Sequence, residues 1–171
     1  VLVEITGGNM SNVQIPPLSD QEMDDGIIQA RNSDRKRSPK LLHKQGDEFN
    51  EVFNFMMHDS YMQPHLHPGS EKIEHIYLIK GRIAALFFDD AGEVKQCAIL
   101  ETGSTELIVV PAFTWHTYVM LTDYAVTYET MVGVYKQETW KEFANWAPRE
   151  DSLESPDYLA LLKRVVPKLT L

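Results

Sequence analysis

The segment Gln63-Pro64-His65-Leu66-His67 sets two imidazoles one residue apart in a stretch that reads as extended. Alternate side chains of a strand share a face, so both rings point the same way. Glu74, Gly81, Gly103, Pro111 and His116 follow along the chain. Three imidazoles and a carboxylate converging on one point make a mononuclear transition-metal site that can keep positions open for water or substrate. A His-x-His pair alone is equally the polar face of a strand. The acid, the glycine and the distal Pro-x-x-x-x-His turn the reading toward a metal.

That donor set is borderline-hard, so Fe(II), Mn(II), Ni(II), Co(II) and Zn(II) all suit it as a single divalent ion. Four protein ligands on an octahedral ion leave two positions, enough for a bidentate oxygen pair or for substrate plus dioxygen. Residues two places from a ligand share its face. Thr114, Tyr118 and Met120 are therefore expected to line the cavity with His116, and Gln63 with His65, as substrate-binding candidates. Tyr118 is the best candidate for catalytic proton transfer, or else forms one wall of the pocket. Glu129, mid-strand in an apolar run, is a second candidate, or else an edge position facing water.

The elements that must hold these residues are mostly strands. Glu51–His58, Gln63–His67, Ile73–Lys80, Arg82–Asp89, Glu93–Leu100, Glu106–Val110, Thr114–Leu121 and Ala125–Tyr135 are rich in β-branched, aromatic and apolar residues. Turn signals such as Pro68-Gly69-Ser70 and Asp89-Asp90-Ala91-Gly92 separate them. Short strands at this spacing imply an antiparallel sandwich or small barrel spanning 41–135. Before it, residues 1–40 form an extension with an apolar strand at Val1–Ile5 and a helix opened by the capping box Ser19/Glu22, with Met23, Ile27 and Ile28 as its stripe. The basic run Arg31 to Lys40 reads as a solvated segment broken at Ser38-Pro39. After the barrel, 136–171 read as helices, at Gln137–Trp146 and again from Ser155-Pro156. The whole is expected to be one domain.

Composition bounds the function. The chain has 171 residues and a formal net charge of −9, which disfavours nucleic-acid binding. No apolar run is long enough to cross a membrane. Cys97 is the single cysteine, so an intrachain disulfide and a cysteine zinc cluster are both excluded. Val1–Ile5 shows neither the basic region nor the apolar core of a secretory signal, and a cytoplasmic location is expected. An apolar terminal strand needs an edge to pair with, and the C-terminal helix is apolar too, so a symmetric homodimer is expected.

His65-x-His67, Glu74 and Gly81 resemble the first motif of the cupins, and Gly103, Pro111 and His116 the skeleton of the second. More narrowly, the chain is similar to WbuC-type cupin fold metalloproteins, associated with bacterial O-antigen polysaccharide gene clusters. The residues carrying this likeness run from Ala30-Arg31, Arg37-Ser38-Pro39 and Leu42-His43 through Tyr61–Pro68, Leu78–Arg82, Phe88–Gly92 and Trp115-His116-Thr117 to Trp146-Ala147-Pro148. The resemblance implies a double-stranded β-helix with helices at both ends, and His65, His67, Glu74 and His116 as metal ligands. It also implies a small oxygen-rich substrate such as a sugar or sugar nucleotide. An isomerase- or epimerase-type enzyme, a non-catalytic ligand-binding cupin and a dioxygenase remain distinct alternatives.

Three departures from the family pattern stand out. The loop from His67 to Glu74 is longer than usual, Phe113 replaces a Gly, and Met120 replaces an Asn. The long loop leaves Glu71 as an alternative acid. Glu74 is favoured because the strand entering Gly81 is regular, while Pro68-Gly69-Ser70 reads as an excursion that can absorb extra residues.

Overall fold

A computed structural model describes residues 14–169; the strand expected at Val1–Ile5 lies outside them. The helix α1 (Asp20–Asn32) starts at the Ser19/Glu22 capping box, with each residue's side chain bonded to the other's backbone N–H. Then come β1 (Arg37–Leu41), β2 (Phe49–Met57), β3 (His65–Leu66), β4 (Glu74–Lys80), β5 (Arg82–Phe88), β6 (Val94–Glu101), β7 (Leu107–Val110), β8 (His116–Met120) and β9 (Tyr124–Val132). The chain closes with α2 (Gln137–Trp140), β10 (Glu142–Phe143) and α3 (Ser155–Leu169). Two five-stranded sheets result, ordered β1-β2-β9-β4-β7 and β10-β3-β8-β5-β6, with every pairing antiparallel. This is the mainly β, cupin double-stranded β-helix expected from the sequence.

The sheets face each other across an apolar floor. Ile76, Leu78, Ile83, Leu100, Ile108 and Met120 are all buried there, delivered by strand alternation from both sheets. The helices cover the outer faces. Leu159, Leu162 and Val166 of α3 pack on Leu86, Phe88 and Val119. α1 approaches the other sheet so closely that a Cβ at Gly26 would stand 2.5 Å from the Phe55 ring. Its buried residues are Gly26 and Ala30; Ile28, expected in the apolar stripe, is exposed.

Two other expectations are corrected. The basic run 31–40 is not simply solvated: residues 37–41 form β1, paired with β2 from Arg37↔Met56 to Leu41↔Val52. Pro39 is tolerated because β1 is an edge strand. Arg37 is buried, donating to Ser60 Oγ, the Tyr61 carbonyl and Glu150. The helix expected over 137–146 stops at Trp140, and residues 142–143 instead pair with β3. That short strand brings the tail onto the histidine segment.

Candidate metal centre

β3 and β8 run antiparallel with His65 directly opposite His116, so their rings share the inner face at 4.4 Å between centroids. His67 follows just past β3, its ring 5.2 Å from His65 and 5.5 Å from His116. One nitrogen from each imidazole lies within 4.8 Å of the others, and all three residues are buried.

Each ring is oriented by the backbone. His65 Nδ1 lies 3.0 Å from the Gln63 carbonyl, His67 Nδ1 2.9 Å from that of Trp140, and His116 Nδ1 2.8 Å from that of Thr114. A carbonyl only accepts, so the proton of each neutral ring belongs on Nδ1 and the Nε2 lone pairs turn inward. The Nε2 atoms of His65 and His67 are buried and have no hydrogen-bond partner among the described residues. Leaving a buried acceptor unpaired costs about 1–3 kcal/mol, and here two converge on one point. These donors fit a divalent transition ion.

Glu74 enters the same point from the opposite sheet. It is buried, with Oε2 3.2 Å from His116 Nε2 and 3.4 Å from His67 Nε2. Burial alone would raise its pKa, but His67 and His116 in their protonated form, charged and donating Nε2–H toward it, hold the carboxyl well below its usual range. Tyr118 donates to the same oxygen at 2.9 Å. Glu71 is exposed and leans back over its own loop, its Oε1 2.8 Å from where a Gly69 Cβ would stand. Gly69 (φ 145°) and the Lys72 N–H to Gly69 carbonyl bond close the long excursion before β4 begins. Phe113 takes a left-handed conformation (φ 58°), the one a Gly at that motif position adopts freely, and its N–H bonds the His67 carbonyl at 3.1 Å.

The remaining candidates lie at different depths. Tyr118 is fully buried, and burial together with Glu74 and Glu129 raises its phenol well above the ordinary value, so it is a donor and not a base. Thr114 is half-buried and contributes its carbonyl to His116. Met120 lies further along β8, in the apolar floor. Gln63 turns its amide to the Ala144 carbonyl at 2.9 Å and lines an outer cleft of about 720 Å³ together with Tyr61, Phe143 and Glu150.

Glu129 is not an edge residue facing water. β9 is the central strand of its sheet, and Glu129 is 8% exposed, accepting from Asn54 Nδ2 at 2.7 Å and Thr127 Oγ1 at 2.6 Å. Burial, reinforced by Glu74, pushes its carboxyl up to about 7. Below about pH 4.5 both folded and unfolded chains keep this proton, so it costs nothing there. As pH rises toward 7 the unfolded chain loses it first and stability falls, by about 3 kcal/mol once pH exceeds 7. Glu129→Gln keeps the shape, and the Asn54 amide can flip to accept from it. In chelator-treated protein this variant should melt roughly 5–10 °C higher than wild type at pH 8, with a much smaller gain at pH 5. Equal melting at pH 8 would show that the carboxyl is not strained by burial.

The tail contributes more than packing. Trp140 fixes His67 through its carbonyl, with its own ring 6.2 Å away and the Lys72 ammonium over it at 5.1 Å. Phe143 lies 6.1 Å from the His65 ring. Lys141, between them, is within electrostatic reach of His65, Glu74 and Glu129. None of these was identified from the sequence. A period-two reading of residues 141–143 was the available signal, and the helical stripe Trp140, Phe143, Ala144 masked it.

Comparison with known proteins agrees with this architecture. A family model described as Domain of unknown function (DUF6016) matches residues 18–100. No curated protein matches the sequence significantly. Among solved structures, a Shewanella oneidensis protein superposes with a TM-score of 0.55 at 13% identity, covering 85% of this chain and 95% of its own. CapF in complex with the inhibitor 3-isopropenyl-tropolone gives 0.54 at 20% identity over 66% of this chain and 32% of that one. Lactobacillus farciminis oxalate decarboxylase, in a formate complex, gives 0.51 at 14% identity over 72% and 38%. The chain thus spans about a third of the length of CapF. What is shared at these identities is the fold. The class is a cupin double-stranded β-helix whose buried histidine triad can hold a metal ion.

Proposed function

We propose that this chain is a WbuC-type metallocupin acting on a small oxygen-rich molecule, such as a sugar or sugar nucleotide, in surface-polysaccharide metabolism. The observation that carries the reading is the pair of buried Nε2 atoms of His65 and His67 that make no hydrogen bond among the described residues, beside His116 and Glu74. His65, His67, His116 and Glu74 would hold one divalent ion (Fe, Mn, Ni, Co or Zn), which when bound supplies Lewis-acid polarisation of a carbonyl or hydroxyl oxygen. The chain's own groups then supply proton chemistry. Tyr118 is a buried O–H donor aimed at Glu74, and Glu129, with a carboxyl poised near neutrality, can give or take a proton.

No helix of the described residues is long and apolar enough to cross a membrane. The half-buried Cys97 thiol, pushed up to about 11 by burial, suits a reducing cytoplasm. We place the protein there as a homodimer.

The test is elemental analysis of purified protein, followed by turnover assays on sugar nucleotides with and without the metal found. One equivalent of a transition metal and metal-dependent turnover are expected. Full metal with no turnover would make the chain a binding protein, and oxygen uptake by the Fe(II)-loaded form would make it a dioxygenase. Absence of bound transition metal would overturn the reading.

A further inference from the structure

The outer cleft of about 720 Å³ lies outside the metal centre but adjoins its histidine triad. Phe143, on its wall, stands directly opposite His65 in the β3–β10 pair, with the two rings 6.1 Å apart. Gln63, also on its wall, holds His65 Nδ1 through its carbonyl at 3.0 Å. The volume falls within the roughly 300–1,000 Å³ of small-molecule sites. A ligand whose reacting oxygen sits at the triad therefore has this cleft beside it for the rest of its body. Gln63 is also a prepared contact. It is 9% exposed and gives its Nε2–H to the Ala144 carbonyl at 2.9 Å, which fixes the direction of the amide. Its Oε1 accepts no hydrogen bond among the described residues, so a donor arriving in the cleft would complete it.

The lining also supplies both kinds of polar partner. Asp34, Asp59, Glu150 and Asp151 can only accept hydrogen bonds when ionised, whereas Arg35 and Arg149 can only donate. A hydroxyl does both, and Phe143, 50% exposed, offers an apolar face for the carbon ring that carries it. We propose that the cleft binds the uncharged, hydroxyl-rich body of a free sugar and rejects sugar phosphates and nucleoside diphosphates. Charge makes that distinction. Arg35 is offset by Glu150 at 3.0 Å and Arg149 by Asp151 at 3.2 Å. Asp34 and Asp59 have no ion-pair partner within 4.0 Å among the described residues, so the uncompensated charge of the cleft is negative. A phosphate, which brings only acceptors and up to two negative charges, would be repelled there. The start of α3 does not reverse this, although Ser155 and Pro156 border the cleft. The Ser155 N–H is given to the Ser152 carbonyl at 3.2 Å, Pro156 has none, and Asp157 places a carboxylate in the first turn.

This inference narrows the proposed substrate from sugar or sugar nucleotide to the free sugar, and it rests on that reading. Its test is calorimetric titration of protein as purified with glucose, galactose, mannose, rhamnose and N-acetylglucosamine, beside glucose 1-phosphate and UDP-glucose. Wild type should bind at least one neutral sugar about tenfold more tightly than either phosphorylated probe. Phe143→Ala should weaken that sugar about tenfold, with an unchanged circular-dichroism spectrum. The double variant Asp34→Asn/Asp59→Asn changes only exposed charge, so it should fold as wild type does. It should cut the preference over the phosphorylated probes about threefold or more. Binding of none of the neutral sugars, or tighter binding of a phosphorylated probe, would overturn the proposal. So would an unchanged sugar affinity in a folded Phe143→Ala, or an unchanged preference in the double variant. Metal content of the same samples keeps the two readings apart. Metal-free protein that binds sugar through Phe143 would sink the metal reading alone, and metal-replete protein that prefers UDP-glucose would sink this one alone.

Discussion

His116→Ala is expected to abolish stoichiometric metal binding while the barrel stays folded. His116 lies closest to its neighbours in the triad and to the acid, with its ring 4.4 Å from His65 and its Nε2 3.2 Å from Glu74. Truncation removes one donor and opens a void at the start of β8. Loss of a residue that merely orients a ligand costs about 10–100-fold in metal affinity, so loss of a ligand should cost at least about a hundredfold. The fold should survive because its apolar floor lies deeper in the barrel, built from Ile76, Leu78, Ile83 and Leu100 without help from the triad. Elemental analysis and a far-ultraviolet spectrum of the variant are the measurements. Full occupancy in His116→Ala would remove the metal reading of the triad.

Legibility of this fold from sequence followed the range of the interactions involved. The capping box at Ser19 and the strands around Gly81 were readable because caps, turns and alternation are local. β1 was not, because Ser38-Pro39 inside a basic run looks like a breaker until the Arg37 partner is known to be Glu150, more than a hundred residues away. β10 was hidden for the same reason: residues 140–144 carry a helical apolar pattern, and only pairing with β3 overrides it. At the site, period two correctly turned His65, Glu74 and His116 inward. It left Glu129 ambiguous, because β9 is buried on both faces and its apolar run shows no wet side. Lys141 carried no signal, since one lysine in a polar tail resembles any solvated charge.

The disputed acid yields the sharpest contrast between two neighbouring carboxylates. Glu74→Gln should weaken metal affinity by roughly ten- to a hundredfold, whereas Glu71→Gln should leave it unchanged. Glu74 begins β4, whose register with β7 and β9 pins it at Val110 and Met131. From there its carboxylate meets His67, His116 and Tyr118 with no further ordering of backbone. The amide would keep a contact with Tyr118 but lose the negative charge that offsets a divalent ion. Glu71 is exposed on the loop after Pro68-Gly69-Ser70, so recruiting it would require refolding that loop at about 1–2 kcal/mol per backbone residue fixed. Metal titrations of both variants beside His67→Ala decide the matter. Loss of metal from Glu71→Gln alone would move the acid three residues back. Indifference to both substitutions would leave three histidines and water, a shell closer to that of a catalytic zinc site.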